Sequence, residues 1–413
     1  GSKWILDRRT SPTHPMMPPL LHLGALAFIE LGVDAGIYFL TGFDPIFGIP
    51  YVGNTLGIAD LVLAGHAWWA VYRGREEQGT FGNARFAQVH EIKRAGLIES
   101  GIVFGRVKKH LITKSERTEG HVVVVGSTGS GKSKSFVIPS LMNWKGASIS
   151  IDPKGELYEW TSHLKENVFY FNPTSKECDQ YNPVMSCGTM EGAKELAAIL
   201  LPAPRGGDPF WSDGARGILA ACLMDGYYKK QSLHEVCKRI CNTDNEQLRD
   251  ELLSSDHQNV SILASVIRGT PEKTLGGIFS QLRSSAVSDI AADPDFDMKR
   301  CDWTPESLEE GASIYLSIPE EKLELRHYQA VLNSIINATM RYLTKRPEGQ
   351  EPAILMMIDE FPRLGMIPQM KKSIATLRSR NVHISLIIQD FSQLDDIYGH
   401  HARRTILANC DYK

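Results

Sequence analysis

His121-Val-Val-Val-Val-Gly126-Ser-Thr-Gly-Ser-Gly-Lys-Ser133 is the stretch that decides the fold. Four valines after His121 make a continuous β-branched run, of the kind buried on both faces of a parallel sheet. The next eight residues, Gly126, Ser127, Thr128, Gly129, Ser130, Gly131, Lys132 and Ser133, satisfy G-x-x-x-x-G-K-[ST] in full. Its glycines permit positive φ, so successive N–H groups can turn inward around an anion. Lys132 is placed to reach the β- and γ-phosphates of ATP, and the Ser133 hydroxyl to ligate Mg²⁺. A helix opening at this point directs its N-terminal dipole at the same phosphates. A chance Gly/Ser turn would have neither the buried strand before it nor the helix after it.

Working outward, Ala353-Ile-Leu-Met-Met-Ile-Asp359-Glu360 is an apolar strand ending in two acids. Alone such an ending is common. Paired with a P-loop, it sets Asp359 beside the phosphates to hold the Mg²⁺ shell. Glu360 then takes the part of general base, polarising the attacking water. Gln389 closes the next apolar run, 382–388, where its amide can orient water or report hydrolysis. Arg363, Arg378 and Arg380 follow the acidic pair, and any one of them could enter a neighbouring subunit's site as an arginine finger or lie on a solvated basic face. Asp152-Pro-Lys-Gly-Glu156 follows another strand, 147–151, as a turn with Pro and Gly punctuation that could also border the site.

Further β-rich runs at 103–113, 168–171 and 313–318 alternate with helical patterns. The clearest of these is 324–343, where Tyr328, Val331, Leu332, Ile335 and Leu343 line one stripe. Strands alternating with helices predict an α/β doubly wound sheet, a RecA-like P-loop NTPase. Between 187 and 301 the patterns are helical only, at 188–201, 213–229, 232–239 and 274–291, so an all-α domain is inserted into the α/β one. Asp208-Pro-Phe-Trp211 reads as an aromatic anchor within it. The nucleotide-binding domain is thus expected as 76–186 and 302–413, the second part cut short where another strand would begin.

Residues 1–75 differ in kind. From residue 10 to residue 72 there is no Lys or Arg, where the average of 45 in 413 would place about seven. Two apolar segments, 16–43 and 45–72, fill this block, with Lys3, Arg8 and Arg9 before it and Arg73 and Arg75 after it. A two-helix membrane anchor with both flanks cytoplasmic follows from the positive-inside rule. Glu30, Asp34 and Asp60 lie inside those segments. They are costly at a bilayer centre, and a packed apolar subdomain is the alternative.

Composition sets the remaining bounds. With 42% hydrophobic and 23% charged residues the chain can bury a large core. A formal net charge of -3 excludes a broadly basic nucleic-acid-coating surface while leaving room for a local basic channel. The seven scattered cysteines read as reduced thiols. His234, Cys237 and Cys241 have helical spacing, and without an evident fourth ligand they read as an ordinary helix. Gly1-Ser2 reads as a cloning scar.

Taken together, several stretches resemble the coupling proteins of conjugation and type IV secretion, the TraG/TraD/TrwB-like family. They are Gly82-Asn-Ala-Arg-Phe-Ala87, the P-loop, Asp152-Pro-Lys-Gly-Glu-Leu157, Asp208-Pro-Phe-Trp211, Asp359-Glu-Phe361 with Leu364-Gly365, and Gln389 with Gln393-Leu394, in the family's order. The resemblance implies a hexameric ATPase anchored in the bacterial inner membrane, its ATPase and helical domains cytoplasmic and its motor similar to FtsK-type translocases. It would pass DNA with its relaxase, or effector proteins, to a type IV secretion channel. The acids within the apolar segments depart from the family's usual anchor. Two functions of different class are therefore expected. One is a translocase threading DNA through a central pore by sequence-independent contacts. The other is a substrate receptor whose nucleotide sets assembly. An FtsK-like chromosome pump is disfavoured by the helical insertion.

Overall fold

The computed structural model describes residues 65–66, 85–175, 177–202 and 209–413. Residues 88–413 form one compact unit. The anchor predicted over 16–43 and 45–72 lies, but for residues 65–66, outside the described residues. Among those described, no helix is long and apolar enough to cross a membrane.

Nine strands are present among the described residues. Gly101–Val107 (β1) and His110–Ser115 (β2) pair as an antiparallel hairpin. The other seven are His121–Val125 (β3), Ala147–Ile151 (β4), Val168–Phe171 (β5), Ser313–Leu316 (β6), Ile354–Ile358 (β7), Val382–Ile388 (β8) and Cys410–Tyr412 (β9). They form a single sheet of order β5-β6-β4-β7-β8-β3-β9, parallel at every pairing. β4, β6, β7 and β8 are buried at every residue, as continuous apolar strands covered on both faces must be. β9 carries too little apolar character in Cys410-Asp-Tyr412 to be read as a strand, and pairing with β3 imposes it.

The hairpin packs on the helix that follows the P-loop. Val103 N–H donates to Ser140 Oγ at 3.0 Å, and Asn143 Nδ2 to Gly101 O at 2.9 Å. Lys114 of β2 is fully buried, with Nζ on His383 Nδ1 of β8 at 2.7 Å and on Thr118 O. Burial lowers its ammonium to about 7.

Between β5 and β6 every described regular element is helical. Two predicted helices change at their ends. The pattern at 213–229 begins earlier, as Pro209–Tyr228. The single helix predicted over 274–291 is two, Glu272–Arg283 and Ala286–Ala292. Ser285 makes the break: its hydroxyl caps the second helix by accepting Val287 N–H at 3.2 Å. His234 Nδ1 meets Ile290 O at 2.8 Å and Cys237 is buried, which places both in helix packing. Of the predicted aromatic anchor, Asp208 lies outside the described residues. Trp211 lies against Gly277, where an added Cβ would come 2.5 Å from its ring, but both it and Phe210 are exposed.

The helical stretch is tied to the sheet layer through Glu195, on the helix Met190–Leu200. Its Oε2 accepts from Asn337 Nδ2 at 2.8 Å and Arg341 Nη1 at 2.9 Å, both on the helix Arg326–Leu343. Its Oε1 accepts from Gln369 Nε2 at 2.6 Å, on the helix Pro368–Ser379. One carboxylate thus satisfies donors from two other helices in a buried place, and its loss leaves two amides without this acceptor and the Arg341 guanidinium with Ser186 O alone, at 3.1 Å. Glu195→Ala should lower stability by about 3–5 kcal/mol, the usual consequence of removing one partner of a buried ion pair. Denaturant unfolding checks this, and a loss below about 1 kcal/mol would show that the network is dispensable.

Candidate active site at the carboxyl edge of the sheet

In a parallel sheet all strands end at the same edge, and register decides which endings are neighbours. Val125 of β3 is level with Ile388 of β8, and Ile358 of β7 with Leu386 of β8. The first residues beyond these strands are Gly126, Gln389 and Asp359. They come from three chain regions and share one edge. Gly126 N–H donates to Ile388 O at 3.1 Å, carrying the β3–β8 ladder one step into the P-loop.

The P-loop turns through Gly129 (φ +78°) and Gly131 (φ +81°), both in the left-handed region where a side chain would be strained. Gly126 is needed for space: an added Cβ would lie 2.9 Å from Ser130 Oγ and 3.3 Å from the Lys132 stem. The helix begins with a π-wound turn, Ser133–Val137, and continues as Ile138–Asn143. Pro139 accounts for the wide turn, having no N–H to offer the preceding turn and a ring that would crowd its carbonyl.

Lys132 Nζ donates to Gly126 O at 2.5 Å and Ser127 O at 3.1 Å, so the ammonium lies along the inside of its own loop. Ser133 Oγ donates to Asp359 Oδ2 at 3.1 Å, joining the two predicted metal ligands across 226 positions. Asp359 Oδ1 accepts Glu360 N–H at 3.0 Å. Burial raises the Asp359 carboxyl above the ordinary aspartate range, with the Ser133 hydrogen bond acting against it.

Glu360 has φ +52° and ψ 40°, a left-handed conformation unusual for a residue with a long side chain. Strain of this kind persists where surrounding structure enforces it, and it concentrates at functional sites. Gln389 Nε2 donates to Glu360 Oε2 at 3.0 Å and Oε1 at 3.3 Å, and Arg363 Nε lies 3.7 Å from Oε2. Thr128 Oγ1 of the P-loop donates to Gln389 Oε1 at 3.1 Å. Lys132, Ser133, Asp359, Glu360 and Gln389 are therefore brought together. The Thr128–Gln389 contact was not legible in the sequence. The signal pointing to it is that Gln389 directly follows β8 and Thr128 lies three residues beyond the end of β3, the adjacent strand.

The other candidates fall elsewhere. Asp152 follows β4, the strand beside β7, on the same edge but farther from β3. Its buried carboxylate accepts Tyr158 N–H at 2.9 Å, which caps the helix Glu156–Thr161, and Gly155 (φ +72°) makes the turn. That is a structural part. Arg378 pairs with Glu119 at 3.5 Å and Asp411 at 3.1 Å, and Arg380 closes the helix leading into β8. Both are at the amino-terminal edge, opposite the P-loop of the same chain. Arg363 stays at the carboxyl edge with Glu360.

Because Asp359 is buried and its carboxyl favours the protonated form, ionisation of this group opposes folding. The contribution is absent below the ordinary aspartate range and grows as pH rises through the raised value. Without added nucleotide, Asp359→Asn should therefore melt at or above the wild-type temperature near neutral pH, the difference shrinking toward acid, while losing Mg²⁺-dependent nucleotide binding. Thermal unfolding between pH 5 and 8 tests it, and a variant less stable at pH 8 than at pH 5 relative to wild type would reverse the sign.

Residues 85–413 match the family model described as Type IV secretory system Conjugative DNA transfer. Protein VirD4 of Rhizobium radiobacter is 28% identical over 359 residues, spanning 79% of this chain and 51% of that protein. Conjugal transfer protein TraG of Escherichia coli is 29% identical over 335 residues, spanning 70% of this chain and 51% of that one. The chain spans about half the length of the curated relatives it matches. Among solved structures, the bacterial conjugative coupling protein TrwBdeltaN70 in an unbound form has a TM-score of 0.58 at 18% identity, covering 79% of this chain and 74% of that one, a likeness of fold.

Proposed function

The chain belongs to the type IV secretory system conjugative DNA transfer family, and we propose that it is the motor part of a coupling protein, an ATPase that drives DNA with its relaxase, or protein effectors, into a secretion channel. The single observation carrying the ATPase reading is the junction of Ser133 with Asp359 at 3.1 Å, beside a P-loop lysine and the Glu360–Gln389 pair. TrwB has been solved with the ATP analogue ADPNP and with ADP and Mg²⁺, which supports the same ligands here.

The donor set fits Mg²⁺: a hydroxyl and a carboxylate, both hard oxygen donors, already converge. Ser133 and Asp359 would hold the ion, whose chemistry is to neutralise phosphate charge. The backbone N–H groups of 126–133 bind the phosphates, and Lys132, on a flexible stem, exchanges its carbonyl partners for phosphate oxygens. Glu360 takes the proton of the water that attacks the γ-phosphorus, and the bond to the β-phosphate oxygen breaks to leave ADP. Gln389 orients Glu360 and that water.

Around this site we assign 76–186 and 302–413 to the motor, 187–301 to an inserted helical domain, and 1–75 to a two-helix anchor in the bacterial inner membrane. The active form is a hexamer with DNA in its central pore, gripped through the backbone and hence in a salt-dependent way. In that ring Arg363, Arg378 or Arg380 would act in trans. Arg378 and Arg380, at the edge away from their own P-loop, are the better placed to face a neighbour.

A substrate-receptor role for the helical domain is favoured by one observation. Phe210, Ile262 and Val266 are exposed on its helices, an apolar presentation suited to docking a protein.

Lys132→Ala should abolish ATP hydrolysis and DNA transfer and leave the far-ultraviolet circular dichroism unchanged. Wild-type ATPase rate should rise with added DNA as the oligomer mass approaches a hexamer. Normal transfer by Lys132→Ala would end the motor reading. ATPase activity indifferent to DNA, with partner binding lost on deletion of 187–301, would favour the receptor.

A further inference from the structure

The side chain of Thr128 stands at a P-loop position where any residue is compatible with the motif, and it is exposed. Its backbone N–H serves the phosphate cradle whatever the side chain is. The hydroxyl is therefore free for a separate task, and the structure shows where it goes: Thr128 Oγ1 donates to Gln389 Oε1 at 3.1 Å.

A carboxamide has two unlike ends, and only its NH₂ end can meet a carboxylate. In Gln389 that end faces Glu360, at 3.0 and 3.3 Å from its two oxygens. The carbonyl end faces Thr128. The backbone N–H of Gln389 is taken by Gln393 Oε1 at 3.3 Å. Removing the Thr128 hydroxyl leaves the carbonyl end without its protein donor and frees the amide to turn away from Glu360. Glu360 is held in a left-handed backbone conformation, and its carboxylate is held in turn by side-chain tethers. Those tethers are Gln389 and, at 3.7 Å, Arg363.

We propose that Thr128 is a positioning residue for Glu360, acting through the Gln389 amide, so that the loop cradling the phosphates also sets the carboxylate that polarises water. The inference rests on the ATPase reading above.

The test uses the whole chain with steady-state ATP hydrolysis and, independently, the Kd for ADP. Thr128→Val is close in shape and deletes only the hydroxyl, whereas Thr128→Ser restores it. Thr128→Val should lower kcat about 10-fold, the scale of losing a supporting hydrogen bond behind a reacting group, with the ADP Kd within about twofold of wild type. Thr128→Ser should recover most of the rate. Adding Thr128→Val to Gln389→Ala should cost nothing further, because both changes cut the same chain of contacts.

Wild-type turnover in Thr128→Val overturns the proposal, as does Thr128→Ser as slow as the valine variant, or losses that multiply in the double variant. A weakened ADP Kd in step with kcat would mean that the hydroxyl shapes the cradle itself, which also overturns it. No turnover by the wild-type chain, with or without DNA, overturns the ATPase reading and this role with it. Turnover intact in both wild type and Thr128→Val removes this role alone.

Discussion

Parallel pairing of β3 with β8, and of β8 with β7, is the constraint on which the site depends. β7 and β8 are buried throughout and β3 over its first three residues, and all three are largely apolar, so no single side chain dictates its neighbour. Once two strands are adjacent, the backbone ladder sets which residues are level. Once Val125 lies level with Ile388, and Ile358 with Leu386, the polar residues that end those strands have no alternative but to share one edge. A slip of one residue would turn every side chain to the opposite face of the sheet and separate Ser133 from Asp359. The continuous burial of β7 and β8 opposes such a slip on both faces.

At that edge the structure accepts local disadvantages. Asp359 is buried with its carboxyl raised, and Glu360 takes a left-handed backbone. Neither is explained by stability, since an asparagine and a glycine would be more comfortable in the two places. Both follow from the need to turn the chain sharply after β7 and still present two carboxylates toward the P-loop. The surrounding contacts, Ser133 on Asp359 and Gln389 with Arg363 on Glu360, come from separate elements and hold the pair in place. Elsewhere the polar groups in the interior have structural parts. Glu195 gathers donors from two neighbouring helices, and Asp152 caps a helix.

How much of this was legible can be followed residue by residue. Six of the seven main-sheet strands are plain in the sequence as β-branched or apolar runs, of which β4, β6, β7 and β8 are buried at every residue. β9 is not, because three residues, Cys410-Asp-Tyr412, carry no period and become a strand by docking against β3. The helix pair 272–283 and 286–292 reads as one pattern, since the apolar stripe continues across a break that a serine cap makes locally. Arg363, Arg378 and Arg380 read alike in the sequence, each as a finger for a neighbouring site or as part of a solvated basic face, and the helix Pro368–Ser379 separates them by carrying Arg378 to the other edge of the sheet.

The sequence by itself determined the phosphate cradle, the α/β class, the helical character of the stretch between β5 and β6, and the two acids at the end of β7. Each of these is a local matter of glycine conformational freedom, hydrophobic period or a motif's fixed spacing. Only the tertiary structure decided which strand lies beside which. With that it decided that Gln389 touches Glu360, that Thr128 touches Gln389, and that Arg363 rather than Arg378 stays near its own site. Such contacts join residues up to 261 positions apart, as Thr128 and Gln389 are, and the reason they escape the sequence is physical. Strand order in a parallel sheet is set by how helices pack over both faces at once, and no window of local sequence carries that sum.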